Sequence, residues 1–258
     1  MPGITAGDPS FRNDDGSADP VATAALTAFA SGQGSEHAAL TALASGRLLV
    51  PVLAVMADQI TDPAAHDDAR PTCGAEADLG DLGADRAEQA TEMAMPTLIG
   101  LDGRRAVPAF TCLDALHRWQ HHARPVPAAA AMVWRAAADE SCAVVIDVAG
   151  PVPLAVEGAR LTALARGEAV PTPEEDPDIR DAVAAALADE PDVAGFQLGP
   201  GDAGRDLTIG LILAADATCD VHDLAGRVGE ASMARLAGRL RRGVGIRFGS
   251  SQVSRAPR

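Results

Sequence analysis

Cys112, His117 and His121 are the residues whose types and spacing come nearest to chemistry in this chain. Cys112 follows Thr111 at the expected start of a helix, where the positive end of the helix dipole favours a thiolate. His117 and His121 are four residues apart, so a continuous helix carries both on one face, as zinc ligands often are; Cys112 or His122 would be the third donor. The plainer account is a basic face near a helix C-terminus, which the dipole also favours. His66, Asp67 and Asp68 form a second polar cluster inside an acidic segment, where solvated charge is the simpler reading. The chain has no lysine, which excludes a phosphate-loop lysine and a Schiff base. No G-x-S-x-G or H-E-x-x-H occurs, and GPGDAG at 199–204 reads as a hairpin turn. No catalytic residue, metal ligand or cofactor-binding residue is assigned, and no cofactor is expected. Cys112 is kept as a candidate reactive thiol.

The elements that must position these residues are clearest in Thr91–Trp119. An apolar run from Met93 to Leu101 meets Asp102-Gly103, a dipeptide that tolerates positive φ and turns a hairpin. Ala106 to Phe110 is the return strand. Thr111 is expected to cap the following helix through its hydroxyl, with Asp114 suiting the positive helix end.

Upstream, helices are expected from Pro20 to Gly32 and from Ser35 to Gly46, then a buried strand at 46–55. Pro51 inside that strand lacks an N–H, which calls for a sheet edge or a bulge. Downstream come a proline-marked turn at 123–127, an Ala-rich helix to about Ala138, strands at 142–150 and 153–156, and a helix at 158–166 ended by Gly167. The proline-rich, acidic run 171–178 is the best boundary. Beyond it the order is a helix, a hairpin (193–199 with 207–213), a long helix and a last strand at 243–248. Val221, Leu224, Val228, Leu236 and Leu240 are expected on one face of that long helix, and Arg235, Arg239 and Arg242 on another, where they could hold a phosphate, an acidic partner or another part of the chain.

The expected class is α+β: two small domains, each a mostly antiparallel sheet packed with helices. Their limits are a disordered tail at 1–19, a first domain at 20–170 with a mobile acidic insertion at 57–90, a linker at 171–178, a second domain at 179–250 and a tail at 251–258.

A net charge of −15 opposes binding to nucleic acid and to anionic membrane. No apolar run reaches the ~18–20 residues of a membrane span, and the first residues do not read as a signal peptide. Cys73, Cys112, Cys142 and Cys219 lack paired spacing and read as reduced thiols, so a cytoplasmic location is expected. Oligomeric state is left open.

FASG (29–32), SGRLLVPVLA (45–54), EMAMPTLIGLDGRRAVPAFTCLDALHRW (92–119) and ARPVP (123–127) resemble the N-terminal domain of SseB-type proteins, the enhanced serine sensitivity family, whose name also attaches to type III secretion. EGARLTALARGEAVPTPEEDPDI (157–179) and the tail after it resemble the second domain of actinobacterial members. The resemblance implies the fold and carries no reaction. Together with the missing catalytic set, it implies a non-catalytic binding or regulatory protein with a protein partner, engaged through Met93, Met95, Pro96, Asp102, Arg104, Arg105 and Pro108. An amino-acid-linked small-molecule sensor, and a thiol enzyme or redox sensor using Cys112, remain the alternatives.

Overall fold

The computed structural model describes residues 11–56, 91–101, 103–202 and 204–249. The acidic insertion at 57–90, with His66, Asp67, Asp68 and Cys73, lies outside the described residues.

Two helices open the chain. In α1 (Pro20–Ala30) Pro20 occupies the first helical position, and Asp19 Oδ1 accepts the N–H groups of Val21 and Ala22 at 2.8 and 2.9 Å. Gly32, at φ +69°, ends it. Ser35 Oγ accepts the Ala38 N–H at 3.2 Å and so caps α2 (Glu36–Leu43). Ala22, Leu26, Phe29, Leu40 and Leu43 turn inward from the two helices.

β1 (Arg47–Met56) lies between β2 (Thr91–Ala94) and β5 (Arg124–Ala129), both antiparallel to it. The backbone of Leu49 exchanges both hydrogen bonds with Phe110, on the side away from β5. Pro51, two residues on, therefore points its missing N–H to that same side, into the gap between the Phe110 bridge and the β2 ladder that begins at Leu53. Pro125 and Pro127 stand opposite Pro51 and Leu49 and are likewise not needed as donors to β1. This is why ARPVP, expected as a turn, forms an edge strand.

The apolar run expected as one strand divides. Thr91–Ala94 joins β1, whereas β3 (Leu98–Ile99) pairs with β4 (Arg105–Ala109) across a turn in which Gly103 takes φ +77°. A four-stranded sheet runs β3-β4-β6-β7, with β6 (Ala143–Ile146) parallel to β4 and antiparallel to β7 (Leu154–Val156). One face of it, carrying Val107, Ala109, Val144, Ile146, Leu154 and Val156, packs on α1, α2, α4 (Ala130–Asp139) and α5 (Gly158–Arg166), with Trp134 fully buried among them. A smaller core gathers Leu49, Phe110 and Leu116, the last from α3 (Leu113–Trp119).

α6 (Pro177–Ala186) begins on the Asp176 cap, whose Oδ1 accepts the Asp178 N–H at 2.8 Å. A second sheet runs β10-β9-β8, and its core holds Ile179, Val183, Leu207, Ile209, Leu211, Leu224 and Val228. β8 (Val193–Pro200) and β9 (Leu207–Leu213) form the expected hairpin. β10 (Val244–Gly249) runs parallel to β9, so this sheet is mixed rather than antiparallel: α7 (Val221–Leu236) carries the chain back over the sheet before β10 begins. Val221, placed on the buried face by spacing, is 46% exposed at the first turn of α7.

Residues 11–19, placed in a disordered tail by composition, are anchored. The Arg47 guanidinium pairs with Asp14 at 2.5 Å and donates to the Ser17 carbonyl at 2.5 Å, while the Leu113 N–H donates to the Gly16 carbonyl at 2.9 Å.

Candidate functional site

Among the described residues no helix covers the β3 and β7 end of the outer face of the β3-β4-β6-β7 sheet, where Leu101 and Ala155 are exposed, whereas α3 packs on Phe110 at the other end. Alternation along the strands puts Leu98, Ala106, Pro108, Ala143, Val145 and Ala155 on this side, opposite the core-facing set. Leu98, Ile99, Leu101, Val145, Val148 and Ala155 line a groove of about 590 Å³. Ile99 is 74% exposed and Leu101 stands wholly in solvent. The rim is polar: Arg104 Nη1 meets Glu157 Oε2 at 2.6 Å, and Arg105 Nη2 donates to the Glu140 carbonyl at 3.0 Å.

The residues expected to form an interaction surface only partly meet here. Arg104 and Arg105 are exposed on the groove rim, and Met95 and Pro96 are half-buried, with Met95 packed on the main core. Pro108 is buried in β4 beside Val145 of β6 and is not a surface residue. The Met93 side chain and Asp102 lie outside the described residues. Sequence reading missed Ile99, Leu101, Val145 and Ala155. The signal was there in Val145 and Ala155, at outward positions of two otherwise apolar strands.

Thr111 does not cap α3. Its hydroxyl donates to Asp147 Oδ2 at 2.7 Å and its N–H to Asp147 Oδ1 at 2.8 Å. Asp147 is buried at φ +48°, and burial raises its pKa against the opposing pull of the Thr111 bonds and the Arg118 charge. Cys112 becomes the N-cap of α3 and gives no side-chain cap bond. It lines a cavity of about 170 Å³ with Asp114, Arg118 and Asp147. The helix stops at Trp119, so His117 and His121 do not share a helical face. His121 instead lies against His122, ring centroids 3.7 Å apart. Among the described residues no group of three His, Cys, Asp or Glu side chains is placed to hold a metal.

A third cluster joins the two cores. Glu36 from α2 pairs with Arg160 of α5, and Arg239 bridges Glu36 at 3.1 Å and Asp176 at 2.5 Å. The Asp176 and Glu36 side chains are 0% and 7% exposed. Burial raises the Glu36 pKa despite both guanidinium groups; burial also works against the Arg239 charge, but the Glu36 and Asp176 carboxylates together hold its pKa up. Arg241 stands over the Phe29 ring at 5.2 Å, and Asp178 of α6 accepts the Ala159 N–H at the start of α5 at 2.8 Å. The α7 helix ends at Leu236, so Arg239 and Arg242 lie beyond it. They hold the chain's own carboxylates, Arg242 pairing with Asp206 at 2.8 Å.

These features define an α+β protein with an apolar sheet face left partly exposed among the described residues and a charged seam between its two cores. Residues 23–163 match the model of the SseB protein N-terminal domain, more than half of the chain, and the chain belongs to the SseB family. No curated protein matches it, and no solved structure does. Among the described residues no helix is long and apolar enough to cross a membrane.

Proposed function

We propose that this chain is a non-catalytic binding or regulatory protein that engages a protein partner through the outer face of the β3-β4-β6-β7 sheet. The observation that carries the reading is the groove lined by Leu98, Val145 and Ala155, with Ile99 and Leu101 exposed at its β3 edge and Arg104, Arg105 and Glu157 on its rim. An apolar floor inside a charged rim is the anatomy of a protein-binding patch. The complementary partner presents apolar side chains to the floor and a carboxylate to Arg105.

The test places a photo-crosslinking residue at Ile99, with Val21 on α1, 67% exposed, as the control position. Irradiation in native cytosol is expected to give one stoichiometric conjugate from position 99 and none from position 21. Val145→Asp is expected to abolish that conjugate while the fold is retained. The same conjugates from both positions, or an Ile99 conjugate indifferent to Val145→Asp, would refute the reading.

A further inference from the structure

Among the described residues the last strand, β10, pairs with β9 alone. The Gly243 carbonyl accepts the Asp206 N–H on the β9 side. Backbone groups alternate along a strand, so Val244, Ile246 and Phe248 carry their N–H and C=O groups to the other side, away from the sheet. Such an edge invites another strand, and proteins blunt it with proline, a bulge, shortness or an inward charge. The other described edges are blunted in these ways. β2, β3 and β7 have four, two and three residues. β5 carries Pro125 and Pro127, and β8 is bulged between Val193 and Gly195 and closes on Pro200. β10 runs for six residues with none of these devices. Its charge, Arg247, lies on the face away from the helices and pairs with Asp202.

A cavity lies along this edge. Val244, Ile246 and Phe248 turn their side chains toward α7, and with Val221, Ala225 and Gly226 they line a groove of about 500 Å³. Phe248 is 39% and Val221 46% exposed. A methyl at Gly226 or Gly229 would meet nothing within 4 Å, so the α7 wall is recessed rather than filled. The residues with outward backbone groups are therefore the ones whose side chains floor the groove. Arg205 also lines it, and crosses the opposite face of β10 with Nη1 3.0 Å from where a Gly245 methyl would stand. Asp202 is held by Arg247 and Asp206 by Arg242, so among the described residues Arg205 has no carboxylate of its own.

We infer that β10 and the α7 groove form a docking site for an extended acidic segment of another protein, which adds a strand to the β10-β9-β8 sheet. The guest main chain bonds Val244, Ile246 and Phe248, and its apolar side chains, at alternate positions, enter the groove beside them. The guest residue beside Gly245 points to the opposite face, where its carboxylate meets Arg205. Charge decides against a second copy as the guest. Two β10 strands paired antiparallel about Ile246 would set Gly245, with Arg205 over it, opposite Arg247 of the second copy, and like charges so placed repel. The inference concerns a different sheet from the groove proposed above and stands or falls apart from it.

The experiment titrates the ¹⁵N-labelled full chain with the capped peptide acetyl-SVEVEVS-amide, with its lysine counterpart acetyl-SVKVKVS-amide, and with acetyl-SEVVVES-amide, which has the first composition without the alternation. Saturable amide shifts at Val244, Ile246 and Phe248 are expected with the first peptide, binding about tenfold or more weaker with the second, and no saturable shift with the third. Arg205→Ala is expected to weaken the first peptide about tenfold or more, as loss of a hydrogen bond to a charged group does. Phe248→Pro removes an outward N–H that β9 does not use and is expected to abolish binding. Gly226→Leu, which fills the groove from the α7 side, is expected to do the same if the proline variant does not fold. Absence of saturable shifts at β10 up to millimolar peptide would overturn the inference. So would equal binding of either control peptide, or affinity unchanged in Arg205→Ala or Gly226→Leu. A dimer in sedimentation that Gly226→Leu dissociates would also overturn it, because a second copy would then be the occupant.

Discussion

Arg239→Met tests whether the charged seam makes the two cores one cooperative unit. In the native protein Arg239 is the group that touches both Glu36, from the first core, and Asp176, the cap of α6. Methionine keeps much of the apolar stem and removes the charge. Asp176, with a fully buried side chain, then keeps only its cap bond to the Asp178 N–H, and Glu36 keeps only Arg160. Truncating one partner of a buried ion pair costs about 3–5 kcal/mol, because an uncompensated charge remains. The lower end applies here, since each carboxylate retains one donor. Urea unfolding followed by tryptophan fluorescence and by far-ultraviolet circular dichroism measures the loss and its distribution. Trp134 lies in the main core and Trp119 packs on the smaller core around Phe110, both before the 171–178 run, so fluorescence reports the part of the chain before that run. In the variant the two transitions should separate, with the circular dichroism change starting at lower urea. Adding Asp176→Asn keeps an oxygen for the cap, removes the stranded charge and should restore about 1–2 kcal/mol. A loss below about 1 kcal/mol with coincident transitions would refute the reasoning, because only a surface-type ion pair costs so little.

Thr111→Val should destabilise the protein by about 1–3 kcal/mol at neutral pH by stranding a buried acceptor on Asp147. The raised Asp147 pKa means the folded state takes up this proton at a higher pH than the unfolded chain, so its contribution to stability grows as pH falls through the raised value and is lost as pH rises through it. The cost of Thr111→Val should therefore shrink on acidification, and a pH-independent difference in chemical denaturation would contradict this. Gly167→Ala places a methyl in open space at φ +69°, so only backbone strain is added; a loss of about 1–2 kcal/mol is expected, smaller for Gly167→Asn, and equal stability of the two variants would count against strain as the cause.

Local signals carried most of the elements because local chemistry decides them. Asp19-Pro20, Ser35, Asp176-Pro177 and Gly167 mark helix ends through side-chain oxygens, fixed φ or left-handed backbone, and each does so here. What failed was decided at a distance. Thr111 has the composition of a cap, but α3 begins at Leu113, which leaves the cap position to Cys112, and the Thr111 hydroxyl and N–H both donate to the buried carboxylate of Asp147, 36 residues away. ARPVP has the composition of a turn, yet β1 accepts it as a strand because no proline N–H in it is needed for that ladder. Pro108 stands close in sequence to the exposed Arg104 and Arg105, but it is buried where β4 pairs with β6, a long-range pairing that its local sequence does not show.

The two sheet surfaces were hidden for different reasons, and this bears on which residues to mutate. On the first sheet Val145 and Ala155 resemble core residues, and only the folded sheet shows them half-buried and exposed on the side away from the core helices. On the second, GVGIRF reads as a strand, but a single strand cannot say that it lies at an edge or which of its residues bond outward. That needs the register of three strands, one of them parallel and delivered by α7. A substitution chosen from sequence would therefore go to Cys112 or Arg104. The packing argues for Val145 on the first sheet, where a changed side chain alters the outer face while leaving the helix-facing residues of the core in place.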